Sequence, residues 1–307
     1  MMRGRITSRF GARSTGREVL AGLDLTGRSV IVTGGAGGLG LETVRSLLAV
    51  GASVIVASRS APAPGALDGF ANWRHEPLDL ASLSSVRDFA RRWADAPLNC
   101  LINNAGVMRL PLSYTAEGFE SHLAINHFGH HLLTLLLLPG LRRAAPSRVV
   151  QLSSGAHRRW PMDFDDLHFR SRPYDPSGAY GQSKTANALF AVEFSRRYGA
   201  DGVTANAVMP GAVLDTSLMR HMTADEFAAL EQQMKPIRKN LAEGAATTLW
   251  AASATELNGV GGLYLEDCAQ ALPGSTDRPG GVLPHALDPE TAARLWEISA
   301  RCVGAVA

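Results

Sequence analysis

The chain has 307 residues, enough for one large α/β domain or two small ones, and 46% of them are hydrophobic, which supplies a sizeable core. A formal charge of +2 gives no field strong enough to recruit nucleic acid or an anionic membrane surface. The three cysteines, Cys100, Cys268 and Cys302, lie far apart and make neither a disulfide framework nor a metal-type spacing, which points to a reducing, cytoplasmic setting.

Residues 1–25 contain Arg and Ser, stay free of acids until Glu18 and lack an apolar signal core. They read as an arm, flexible or docked on the surface. Beyond it, Ser29–Thr33, Ser53–Ala57, Asn99–Ile102, Arg148–Leu152, Val203–Ala207 and Gly262–Leu265 are short β-branched or aliphatic runs, with Trp73–Leu78 as a weaker seventh. Nearly continuous in apolar character, they read as buried parallel strands. The helical patterns between them are Leu39–Val50, Leu83–Trp93, Thr115–Leu138, Tyr180–Tyr198 and Leu241–Ala252, with a last helix near Pro289–Arg301. This alternation predicts an α/β fold with right-handed βαβ units: a doubly wound, mostly seven-stranded parallel sheet with helices on both faces, one domain over residues 26–307. The segment Ala61–Phe70 is too rich in Pro, Ala and Gly for a full helix, and the apolar run Leu132–Leu138 is broken by Pro139, far short of a bilayer span.

In such a sheet, ligands bind beyond the carboxyl ends of the strands, and the unusual residues fall there. The first strand exits into Thr33-Gly34-Gly35-Ala36-Gly37-Gly38-Leu39-Gly40, a glycine turn that opens a helix and suits a pyrophosphate. The second exits into Ser58-Arg59 with no carboxylate; an acid there would hold the free ribose hydroxyls of NAD(H), whereas arginine welcomes a 2′-phosphate, so NADP(H) is favoured over NAD(H). Asp79-Leu80, Asn103-Asn104-Ala105-Gly106, Ser153-Ser154 and Pro210-Gly211 follow the next four strands.

Tyr180 and Lys184 stand four apart on a helix, so their side chains share a face. A free phenol with a pKa of about 10 exchanges protons poorly near neutrality, and a neighbouring ammonium is expected to lower it.

The glycine turn, Asn103–Gly106, Asn126, Ser154, the Tyr180/Lys184 pair and Pro210-Gly211 together resemble the short-chain dehydrogenase/reductase family, from about Ser29 to Leu265. The flanks, Phe10–Thr15 with Val19–Gly22, Gly244–Thr248 and Gly261–Tyr264, resemble the branch of the retinol dehydrogenases and the WW-domain-containing oxidoreductase, here without WW domains. Extended sugar epimerases share the Tyr/Lys pair, but the Asn103–Gly106 run and the short tail argue against them.

The resemblance implies a Rossmann-type domain that moves hydride between nicotinamide and a carbonyl or alcohol. Tyr180 would be the acid or base. Lys184 would lower its pKa and hold the nicotinamide ribose. Ser154 would bind the substrate oxygen, and Asn126 would anchor a water in a proton relay. Thr33, Gly34, Gly38, Leu39 and Gly40 would form the cofactor turn. Asp79, Leu80, Asn104, Ala105 and Gly106 would line the adenine side, and Pro210, Gly211 and Val213 would border the nicotinamide.

Three departures stand out. Thr216 comes one residue later after Pro210-Gly211 than in the family, with Asp215 intervening; 26 positions separate Ser154 from Tyr180; and Ala61–Phe70 replaces a helix. Residues 155–178 and 212–239 are expected to build the substrate pocket, and Leu214, Leu218, Met219, Met222, Phe227 and Met234 suit a lipophilic ketone, aldehyde or secondary alcohol. His127, His130 and His131 come without a carboxylate cluster and are read as no metal site. The Thr115–Leu138 and Tyr180–Tyr198 helices resemble the pair that forms a dimer interface in many relatives, which makes a homodimer the expectation. The competing reading is a non-catalytic nucleotide sensor or scaffold, against which the intact proton-relay set weighs.

Overall fold

Val30 and Val32 point to one side of the first strand and Ile31 to the other, and the molecule is built around that alternation. A computed structural model describes residues 4–93 and 95–305. The strands of the main sheet are β1 (Ser29–Thr33), β2 (Ser53–Ser58), β3 (Trp73–Pro77), β4 (Cys100–Asn103), β5 (Ser147–Leu152), β6 (Val203–Met209), β9 (Tyr264–Glu266) and β10 (Ala269–Gln270). Their order is β10-β9-β6-β5-β4-β1-β2-β3, and all neighbours run parallel except β10 against β9. The sheet therefore has eight strands, the eighth a two-residue antiparallel edge that sequence periodicity cannot register. A separate ribbon pairs β7 (Ala212–Val213) with β8 (Arg238–Lys239).

One face carries α3 (Leu83–Trp93), α5 (Gly129–Arg143), α6 (Pro176–Tyr198) and α9 (Pro289–Val303), around Leu132, Leu133, Phe190 and Trp296. The other carries α1 (Gly16–Leu20), α2 (Gly38–Leu48) and α8 (Leu241–Ser253), around Val44, Leu249 and Trp250. The segment 212–239 also contains α7 (Ala224–Met234), none of whose residues is buried.

Helix α6 starts at Pro176, four residues before the expected Tyr180, and the helix read as Thr115–Leu138 differs at both ends. Residues 115–120 turn back on themselves through a Tyr114–Glu120 bridge, and the helical path starts only at α4 (Ser121–Leu123), where the Glu120 carboxylate accepts from the His122 and Leu123 amides. At the other end, α5 continues through Pro139 to Arg143: proline removes one backbone donor but, near a helix end packed on the sheet, does not stop it. The Ala61–Phe70 segment forms turns only, as expected.

The arm is docked. Ile6 exchanges backbone and side-chain hydrogen bonds with Gln270, the Ser8 hydroxyl donates to the Cys268 carbonyl, and α1 packs against Leu249 of α8.

Candidate active site

The glycine turn is held from beneath by Thr33. Its hydroxyl accepts from the amides of Asn104 (2.9 Å) and Ala105 (3.0 Å), while the Asn104 carboxamide donates to the Thr33 carbonyl at 2.8 Å. The exits of β1 and β4 are thus locked together. Gly34 has φ +65° and a Cβ on it would stand 3.0 Å from the Ala105 Cα, while a Cβ on Gly40 would stand 2.2 Å from the Gly34 carbonyl oxygen. Only glycine permits that approach. Gly37, at the N-cap of α2, makes no side-chain cap, so the first amides of that helix are left for a ligand.

A cavity of about 360 Å³ runs over this turn. It gathers Gly34, Gly38, Leu39, Gly40, Ser58, Arg59, Asp79, Leu80, Asn104, Ala105, Gly106, Tyr180, Lys184 and Pro210. Thr33 lies below its floor, fully buried. Gly211 and Val213 do not line it: Gly211 packs on the Lys239 side chain, and Val213 turns toward Gly244 of α8. The donor set and the uncapped helix fit a dinucleotide phosphate.

Tyr180 and Lys184 descend from α6, which begins where Asp175 accepts from the Ser177 amide and Pro176 occupies the first turn. The Lys184 ammonium lies 5.7 Å from the Tyr180 ring centre and donates to the Leu152 carbonyl at 3.1 Å. Tyr180 shares a hydrogen bond with the Ser154 side chain. Ser153 lines the cavity, which Ser154 does not, but its hydroxyl is committed to the Lys184 carbonyl, to which it donates at 2.8 Å. The two serines are thereby separated into one that meets the phenol and one that fastens the helix.

The electrostatics correct one expectation. The Tyr180 phenol is raised, not lowered: burial disfavours the phenolate more than the Ser154 hydrogen bond favours it. Burial acts on Lys184 as well and brings it down to about 8.

Asn126 sits in a π-turn, Ala124–Phe128. Its carboxamide oxygen accepts from the Val107 amide at 2.8 Å, and its nitrogen donates to the Val107 carbonyl at 3.0 Å and the Ser183 hydroxyl at 2.8 Å. Ser183 in turn donates to the Tyr180 carbonyl. His130 joins the two halves of the site: one ring nitrogen is 3.0 Å from the Asn126 carbonyl, the other 2.8 Å from the Thr33 hydroxyl. Since a carbonyl only accepts, Nδ1 carries the proton and Nε2 accepts from Thr33. Burial lowers His130 to about 4, which keeps it neutral.

A family model described as short chain dehydrogenase matches residues 28–226. The chain belongs to that family. Among its short-chain dehydrogenase relatives, a probable oxidoreductase of Streptomyces lividans is 46% identical over 92% of this chain and 100% of its own. Human retinol dehydrogenase 13 is 41% identical over 91% of this chain and 86% of its own, which places the protein on the retinol-dehydrogenase-like branch. An uncharacterized Mycobacterium paratuberculosis protein of solved structure is 33% identical with a TM-score of 0.73, covering 94% of this chain and 97% of that one. The Pseudomonas aeruginosa RhlG/NADP active-site complex is 27% identical with a TM-score of 0.62, covering 79% and 95%. The protein is a short-chain NAD(P)-dependent oxidoreductase.

Several residues of the site escape a reading of the sequence. Ser217 and Arg220 line the cavity from the 212–239 segment, and nothing in their spacing marks them; Thr216 and Leu218, which the sequence reading singled out for other reasons, line it beside them. His130 had a usable signal, four residues beyond Asn126 on one helical face, but in the sequence it reads as one of three neighbouring histidines. His127 instead meets the Ser299 hydroxyl, and His131 the Trp296 ring.

Proposed function

We propose that this dehydrogenase uses NADP(H) and reduces a lipophilic ketone or aldehyde, or oxidises the corresponding secondary alcohol. One observation carries the reading: a buried phenol hydrogen-bonded to Ser154 and four residues before a buried lysine, on the wall of the cavity that holds the glycine turn. The bound cofactor supplies or accepts the hydride. In reduction, Tyr180 gives its proton to the substrate oxygen while the Ser154 hydroxyl donates a hydrogen bond to the same oxygen and stabilises the charge that develops there. Lys184, positively charged at neutral pH, faces the phenol and replaces part of the solvation that burial removes. Asn126 and Ser183 hold the backbone around both. Because burial keeps Tyr180 protonated, the free enzyme is prepared for reduction.

Arg59 at the exit of β2, with no acid beside it in the sequence, supports NADP(H), and so does the NADP-containing relative from Pseudomonas. Phe227, Leu230 and Met234 of α7 are half-buried on one helical face, which supports a lipophilic substrate. A protomer that acts alone is supported by α9, which lies on the α5–α6 face where a family-type dimer would form.

The test is oxidation of NADPH across a panel of lipophilic ketones and aldehydes. Tyr180→Phe is expected to lower turnover roughly 100-fold or more while NADPH binding persists. Undiminished turnover would remove Tyr180 from the chemistry.

A further inference from the structure

Two arginines line the cavity near the exit of β2. Arg59 comes from the β2 exit, and Arg220 comes from the 212–239 segment, 161 residues later in the chain. Burial first and the charge of Arg59 second hold Arg220 below its ordinary value, so the two guanidinium groups feel one another. Arg220 donates to the Ser217 carbonyl at 2.9 Å and, among the described residues, neither arginine pairs with a carboxylate. Ser58 offers no ready proton to a ligand here, since its hydroxyl donates to the Ser60 carbonyl at 2.9 Å. Like charges brought together without a counter-charge are unfavourable unless an anion lies between them.

The path of the chain explains how Arg220 reaches this place. Thr216 lies 3.4 Å from where a Cβ on Gly38 would stand, so the segment crosses directly over the glycine turn, and the short 3₁₀ turn Ser217–Met219 then delivers Arg220 beside Arg59. Beyond it, α7 has no buried residue and is tied down by charge: Glu226 pairs with Arg109, and Glu231 with Arg238 at 2.6 Å. The one-residue delay of Thr216 relative to the family pattern falls at the start of this crossing.

Resting on the reading that NADP(H) is the cofactor, we propose that Arg220 is a second ligand for its 2′-phosphate, so that this phosphate clamps the 212–239 segment over the cleft. Arginine suits the task because its planar donors meet phosphate oxygens in pairs. Cofactor selection and closure over the substrate then share one residue. NADH, lacking the phosphate, binds without drawing the segment down.

The experiment is calorimetric titration of wild type, Arg59→Ala, Arg220→Ala and Arg220→Lys with 2′,5′-ADP and 5′-AMP, together with chymotrypsin digestion read at residues 220–238. Arg220→Ala is expected to weaken 2′,5′-ADP roughly 10- to 100-fold, as for loss of a charged hydrogen bond, with 5′-AMP within twofold of wild type and Arg220→Lys in between. In wild type, 2′,5′-ADP but not 5′-AMP should slow cleavage of the segment, and Arg220→Ala should abolish that protection. If Arg59→Ala weakens 2′,5′-ADP while Arg220→Ala changes neither affinity nor cleavage, the clamp is overturned and the NADP(H) reading stands. If wild type binds 5′-AMP as tightly as 2′,5′-ADP, both fall.

Discussion

Lys184 is the residue whose protonation can be read from outside. Its folded-state pKa of about 8 lies below the ordinary value because burial penalises the charged form. The ammonium therefore persists below pH 8 and is lost as pH rises through it. If that charge supports proton delivery from Tyr180, kcat/KM for carbonyl reduction at saturating NADPH should be level near pH 7 and fall about tenfold per pH unit above pH 8. A profile flat to pH 9.5 would show that Lys184 does not titrate in the reaction. The pairing of Tyr180 with Lys184 was legible because a helix converts a spacing of four into a shared face. The direction of the phenol's shift was not, because a sequence does not state how deeply a group is buried. The same limit hid Arg220: one arginine among many becomes distinctive only when the chain folds it beside Arg59.

At the level of elements, five of the strands were legible because burial on both faces leaves nearly continuous apolar runs, while Gly262–Leu265 was less distinct and β9 forms only over Tyr264–Glu266. β3 was the faintest, and the structure gives the reason: it is the sheet edge, and Trp73–Pro77 is partly exposed throughout. Pairings of two residues each, such as β7 with β8, carry too little pattern to be seen. The 155–178 insertion was legible as an insertion, but its anchor was not. Trp160 lies flat against α6 at Gly181, where a Cβ would come within 2.2 Å of the indole Cδ1. Its position, directly after Tyr180, couples the insertion to the catalytic helix. Gly181→Ala should push the indole away and destabilise the fold by about 1–3 kcal/mol in urea titration, as overpacking does. It should also raise KM for a bulky ketone several-fold with NADPH affinity unchanged. An unaltered KM would detach Trp160 from the substrate wall.

Across the whole molecule, five histidines are buried among the described residues; His122 pairs with the Glu120 carboxylate, and burial keeps the other four, His127, His130, His131 and His157, as neutral rings. They join layers rather than line the surface. His130 connects the β1 exit to the π-turn, His127 and His131 meet α9, and His157 lies at 4.7 Å from the Tyr264 ring beneath Ser154. Burial is the leading cause in each case, and it lowers His130 and His157 to about 4, His131 to about 3 and His127 well below its ordinary value. In the unfolded chain these rings take up protons near pH 6.5, whereas the folded protein resists protonation until pH 4 or lower. The unfolded state therefore binds more protons in that window, and stability must fall as pH drops through it, by about 1 kcal/mol per pH unit for each histidine. Chemical denaturation at pH 7.0, 6.0 and 5.0 should show the midpoint declining steeply and earlier than carboxylate protonation alone would produce. Replacing His131, whose two ring nitrogens lack hydrogen-bond partners, by leucine should flatten that decline without loss of stability at pH 7, because an apolar ring site beside Trp296 has no use for a polar group. A decline of equal slope in His131→Leu would mean that the acid sensitivity arises elsewhere.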